Sequence, residues 1–142
     1  MALYSQFPLD AQQFLPHTGA MCCIDRLLSS SKTAAATDVV LTPDHFLLRG
    51  NELDPSGYVE LAAQTAGAMS GYDRRIQDLP LKQGFLVGVQ DFVIHADARV
   101  GDCLRMDVAT FAELGEMAVL TAQVRRGDEL LAEGRLKVYV PE

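Results

Sequence analysis

A single carboxylate, Glu60, stands inside a run of small and apolar residues from Gly57 to Gly71. A glutamate held among apolar neighbours is pushed toward its protonated form and can serve as a general acid near neutrality. One on the solvated face of a helix start only gains a little from the helix dipole. The periodicity of the run does not settle which face carries Glu60, so both readings stand. Gly57, just before it, would offer first-turn backbone amides to a thioester carbonyl as negative charge develops there. Tyr58 and Gln64 flank Glu60 and can orient a substrate or the carboxylate itself, with core packing and a helix-end contact as the competing roles. The candidate bases are His17, His45 and His95. His17 and His45 fall in irregular segments, where catalytic side chains concentrate, whereas His95 reads as a residue on a sheet face or strand end.

The elements that must position these residues follow from pattern. Pro55 suits a first helical turn, and Asp54 or Ser56 can cap it, so a helix is expected from about Pro55 to Ile76. Val59, Ala62, Ala63, Ala66 and Met69 recur at the spacing of a buried stripe. Its small residues imply that another layer approaches closely. Residues 7–16 suggest a short helix or turn closed by Pro16. Strands are expected at Met21–Leu28 and Thr33–Leu41 around a Ser-rich turn, and His45–Pro55 reads as a loop long enough to be functional. After Pro80, strands are expected at Gln83–His95, Cys103–Leu114, Met117–Arg126 and Leu130–Val140, the last three joined at Gly115 and Gly127-Asp128 as hairpins. Two strands, a long helix and four strands make an α+β fold, most simply an antiparallel sheet curled around one central helix. Phe85, Val87 and Phe92 would suit the wall of an acyl tunnel and equally a plain core.

Bulk properties narrow the partners. The 142 residues suit one domain spanning 1–142, with 49% apolar and 22% charged residues, as in globular proteins. A net charge of −7 argues against nucleic acid, whose phosphates require a basic surface. Cys22, Cys23 and Cys103 are odd in number and two are adjacent, which reads as reduced structural thiols in a cytoplasmic protein. No ligand pattern suggests a metal or a cofactor, and neither a signal peptide nor a stretch suited to membrane insertion is evident.

The chain also resembles a known family over nearly its whole length. Phe14-Leu15-Pro16-His17 followed by Met21 to Leu28, with Asp25-Arg26, resembles the opening of the hot-dog 3-hydroxyacyl-ACP dehydratases. Val59-Glu60-Leu61-Ala62-Ala63-Gln64-Thr65-Ala66-Gly67 resembles their helix motif L-E-x-[ML]-A-Q-x-x-G, the most specific part of the match. Gly84-Phe85-Leu86-Val87-Gly88 and Val100-Gly101-Asp102 are similar to their F-L-x-G and P-G-D segments.

The resemblance implies a hot-dog fold and a dimer in which a histidine of one subunit and a helix carboxylate of the other, here Glu60, dehydrate a 3-hydroxyacyl thioester on acyl carrier protein to the trans-2-enoyl product. The family's histidine position is occupied here by Phe46, with His45 beside it, and Asp54-Pro55-Ser56-Gly57 replaces the usual Pro-Gly. That departure resembles the branch associated with aryl polyene biosynthesis, whose members can pair with a second hot-dog protein that keeps the histidine. Either His45 or His17 is then the base in a homodimer, or the chain lends Glu60 to a heterodimer. The alternatives are a hot-dog thioesterase and a non-catalytic acyl-binding subunit. Docking of an acidic carrier protein would need a local cationic patch, expected at Arg74-Arg75 or Arg99.

Overall fold

The computed structural model describes residues 6–16 and 19–141, so the candidate His17 lies outside the described residues. Among the described residues nine strands and one α-helix follow in the order β1 (Leu9–Asp10), β2 (Arg26–Ser30), β3 (Ala34–Val40), β4 (Leu48–Arg49), β5 (Glu52–Leu53), α1 (Pro55–Ile76), β6 (Phe85–Ile94), β7 (Cys103–Leu114), β8 (Met117–Arg126) and β9 (Glu129–Tyr139). Seven of them form one sheet in the order β1-β2-β3-β7-β8-β9-β6. Every neighbouring pair is antiparallel. The sheet wraps α1, as the alternation of elements predicts. Among the described residues no helix is long and apolar enough to cross a membrane.

The helix forms where its caps and composition direct. Asp54 accepts from the Ser56 amide at 3.0 Å, Pro55 opens the first turn, and Arg74 and Arg75 lie in the last turn beside the helix's negative end. Its inner face buries Tyr58, Leu61, Ala62, Thr65, Ala68 and Met69 against Val39, Leu104, Met106, Leu120, Val124 and Leu136 of the sheet. The predicted stripe is thus turned slightly: Val59 and Ala63 are only half-buried. Gly71 is required by contact, because a Cβ there would overlap the Phe14 carbonyl of the 3-10 turn Ala11–Phe14. That turn, preceded by β1, is the short helix or turn expected over residues 7–16.

Two expectations change in detail. The strand expected from Met21 begins at Arg26, as β2, because the Met21 carbonyl and the Cys23 amide bond to Gln64 of α1 instead of to a neighbouring strand. Sheet bonding starts at Asp25, whose amide donates to the Asp38 carbonyl at 2.8 Å. The loop after Asp44 contains a small hairpin, β4 with β5, too short to carry a period of two. Strand β6 is a sheet edge along which Phe85, Leu86, Val87, Val89, Val93 and Ile94 are all exposed. Gly134 of β9 lets the β6 backbone close over it, since a Cβ would stand 2.6 Å from the Phe92 Cα.

Candidate functional site

Glu60 sits at one end of a cavity of about 330 Å³ between α1 and the sheet. Ala63, Gly67, Ser70 and Asp73 continue the same helix face along the cavity. From Glu60 to Asp73 that stripe spans roughly 20 Å at the helical rise per residue. Phe85 and Leu120 belong to the sheet side, and Leu15 and Pro16 to the N-terminal segment. The volume lies in the range of small-molecule sites. Small helix residues make the room, which a stripe of leucines would fill.

The carboxylate is half-buried and its Oε2 accepts from Gln64 Nε2 at 2.8 Å, a pair that helical spacing alone places side by side. Gln64 is itself buried and anchored twice more. Its Oε1 accepts from the Cys23 amide at 2.8 Å, and its Nε2 donates to the Met21 carbonyl at 2.9 Å. The reverse amide orientation would set Oε1 against two acceptors and Nε2 against a donor, so the network fixes it. An amide locked by main chain holds Glu60 in one rotamer beside the cavity.

His45 is the other end of this network. Its Nδ1 accepts from the Leu47 amide at 3.2 Å, which leaves the ring proton on Nε2, and Nε2 donates to the Cys23 carbonyl at 2.9 Å. Both ring nitrogens are therefore engaged with main chain. His45 does not line the cavity as a free base does; it fastens the loop before β4 to the Met21–Cys23 segment. Phe46, its neighbour, is 56% exposed. His95 pairs with Glu133 at 2.9 Å on the exposed sheet edge, as a strand-end residue.

The remaining candidates separate. Tyr58 is fully buried, and its hydroxyl accepts from the Ala98 amide at 2.8 Å and donates to the Ala96 carbonyl at 3.3 Å. Burial raises the pKa of its phenol. It braces the loop after β6 rather than the cavity. Gly57 is packed under Leu53 and Leu47, and its amide donates to the Asp54 carbonyl at 2.7 Å, within the cap. Neither borders the cavity of this chain, so of the expected substrate contacts only Gln64 stands beside Glu60. Cys23 is buried as expected, and burial together with the nearby charge of Glu60 pushes its thiol up to about 11. A thiol so raised stays protonated and is no nucleophile.

The two alternative cationic positions, Arg74-Arg75 and Arg99, lie at opposite ends of α1. Arg74 donates to the Pro80 carbonyl and Arg75 to the Gln13 carbonyl at the C-terminal end of α1, whereas the main chain of Arg99 pairs with that of Glu52, just before the helix N-terminus. A helix of 22 residues separates the two groups, about 33 Å at the helical rise. The main-chain anchors at Met21 and Cys23, and the cavity residues Lys32, Thr110 and Glu113, went unforeseen. Backbone groups carry no sequence signal, and the cavity residues come from the turn between β2 and β3 and from β7, distant along the chain.

Comparison with known proteins agrees with this architecture. Residues 9–142 match the model of the ApeP-like family, described as ApeP dehydratase. The dehydratase heterocomplex ApeI:P from Xenorhabdus doucetiae superposes with a TM-score of 0.87 at 20% identity, over 96% of this chain and 93% of that one. An uncharacterized protein from Pyrococcus horikoshii gives 0.69 at 16% identity, over 96% of both chains. A hypothetical thioesterase with coenzyme A from Streptococcus pneumoniae gives 0.64 at 8% identity, over 81% of this chain and 84% of that one. No curated protein matches the sequence. At these identities the structural likenesses establish the hot-dog fold.

Proposed function

The chain belongs to the ApeP-like dehydratase family, and on that premise we propose that it dehydrates a 3-hydroxyacyl thioester carried by acyl carrier protein, supplying Glu60 to a site completed by the histidine of a second hot-dog subunit. The observation that carries the reading is the division of roles within the network. Glu60 faces an acyl-sized cavity, while His45 has both ring nitrogens committed to main chain. An imidazole from the partner takes the proton from C2 of the substrate. Glu60 delivers a proton to the C3 hydroxyl, the C3–O bond breaks, the double bond forms between C2 and C3, and water leaves. Proton return from the imidazolium to Glu60 through water restores the site.

The partner's seat is the β6 edge. An edge strand with unpaired main-chain groups and apolar residues on both faces is a template for another chain. The heterocomplex name of the Xenorhabdus doucetiae structure favours a different hot-dog protein over a second copy. The aryl polyene branch supplies the substrate class: a thioester with an extended unsaturated chain, which fits a cavity floored by Ala63 and Gly67.

The test is to combine the purified chain with a histidine-bearing hot-dog partner and a 3-hydroxyacyl carrier protein, following enoyl formation by mass spectrometry, with turnover in the ordinary enzyme range. Glu60→Gln in the complex is expected to lose at least about a hundredfold in kcat, as removal of a general acid does. Full activity in Glu60→Gln, or release of free thiol in place of enoyl product, would overturn the proposal, the second outcome in favour of a thioesterase.

A further inference from the structure

We infer that His45 is a positioning residue for Glu60, acting through the main chain of Cys23 and the side chain of Gln64, and not as an acid or base. The inference rests on the proposed dehydration for its kinetic consequence, while its structural content stands independently.

The linkage is continuous. His45 Nε2 donates to the Cys23 carbonyl at 2.9 Å, the Cys23 amide donates to Gln64 Oε1 at 2.8 Å, and Gln64 Nε2 donates to Glu60 Oε2 at 2.8 Å. The ring is held rigidly from its own side. The His45 amide donates to the Thr42 carbonyl at 2.9 Å, its carbonyl accepts from the Leu48 amide at 3.2 Å, and its Nδ1 takes the Leu47 amide. This tight turn just before β4 aims Nε2–H at Cys23.

The Cys23 segment needs such an anchor. It leaves the short turn Gly19–Met21 and does not join the sheet until Asp25. Between those points its long-range polar ties among the described residues are His45 on one side and Gln64 on the other. A segment clamped from both sides presents one fixed amide and one fixed carbonyl to Gln64. Released on the His45 side, it drifts, and the Gln64 amide that orients Glu60 drifts with it. The two polar groups of Cys23 belong to different peptide units, so the coupling is positional: it sets where Glu60 stands.

The geometry separates this role from acid-base work by substitution. The side-chain nitrogen of glutamine reaches where Nε2 of histidine reaches and can donate to the Cys23 carbonyl, but it does not titrate near neutrality. In the reconstituted complex, His45→Ala is expected to lower kcat by about ten- to a hundredfold with little change in KM, the cost of misplacing a reacting group by a fraction of an ångström to an ångström. His45→Gln is expected to recover most of that loss and to keep both limbs of the pH–rate profile.

The second readout needs no activity. In 15N-labelled chain, the Gln64 side-chain amide signals and the Cys23 amide are expected to shift and exchange faster in His45→Ala and to return in His45→Gln. If a folded His45→Ala leaves those signals unmoved, or if His45→Gln is no better than alanine, the linkage is refuted. Loss of one limb of the pH profile in His45→Gln would instead identify His45 as the titrating base and equally overturn it. Should no pairing of the unaltered chain dehydrate substrate, the functional reading falls, and the amide signals still decide the linkage.

Discussion

Replacing Gln64 by leucine keeps the volume of the side chain and removes its three hydrogen bonds at once. The bonds to the Cys23 amide and the Met21 carbonyl are neutral, each worth about 1 kcal/mol net, and the bond to the Glu60 carboxylate about 1.5–3 kcal/mol. Burying the leucine side chain returns about 1.5–3 kcal/mol. Gln64→Leu should therefore destabilise the fold by about 0.5–3.5 kcal/mol, which for a chain of this size lowers Tm by roughly 2–10 °C. Calorimetry or urea unfolding measures that loss directly. The decisive form is a double-mutant cycle with Glu60→Ala, where the pair should show a coupling of about 1.5–3 kcal/mol. A coupling indistinguishable from zero, with Tm unchanged, would refute the claim that Gln64 holds Glu60.

The remaining predictions test the frame around the site. Gly71→Ala sets a methyl group against the Phe14 carbonyl, which is main chain and cannot step aside, and should cost at least about 3 kcal/mol in urea unfolding. Gly67→Ala, by contrast, meets only the end of Leu15 at 3.1 Å, so it should leave stability within about 1 kcal/mol. The Cys23 thiol is raised from 9.0 to about 11 by burial and then by the charge of Glu60. A raised thiol favours the protonated fold, so its contribution is whole below pH 9 and is lost as pH climbs from 9 toward 11. Stability should fall there by about 2 kcal/mol, and Cys23→Ala should remove that part of the alkaline slope, as read from urea midpoints against pH.

What the sequence determined by itself is what short-range chemistry controls. Asp54, Pro55 and the three-and-four spacing after them dictate α1, and the glycine turns at Gly115 and Gly127 dictate the hairpins that follow. Helical spacing alone puts Gln64 beside Glu60, and the motif around them makes the family legible. Tertiary structure decided where each of these side chains points. Tyr58, two residues from Glu60, is turned into the core by the Ala96 and Ala98 main chain, and Gly57 is closed under Leu53. His45 looked like a base because a histidine in a loop is free to be one; folding brings the Cys23 carbonyl, 22 residues back along the chain, within 2.9 Å and commits the ring. Periodicity registers which residues are apolar, whereas a main-chain amide or carbonyl is the same at every position, so a site built on such groups becomes visible only once the chain has closed around it.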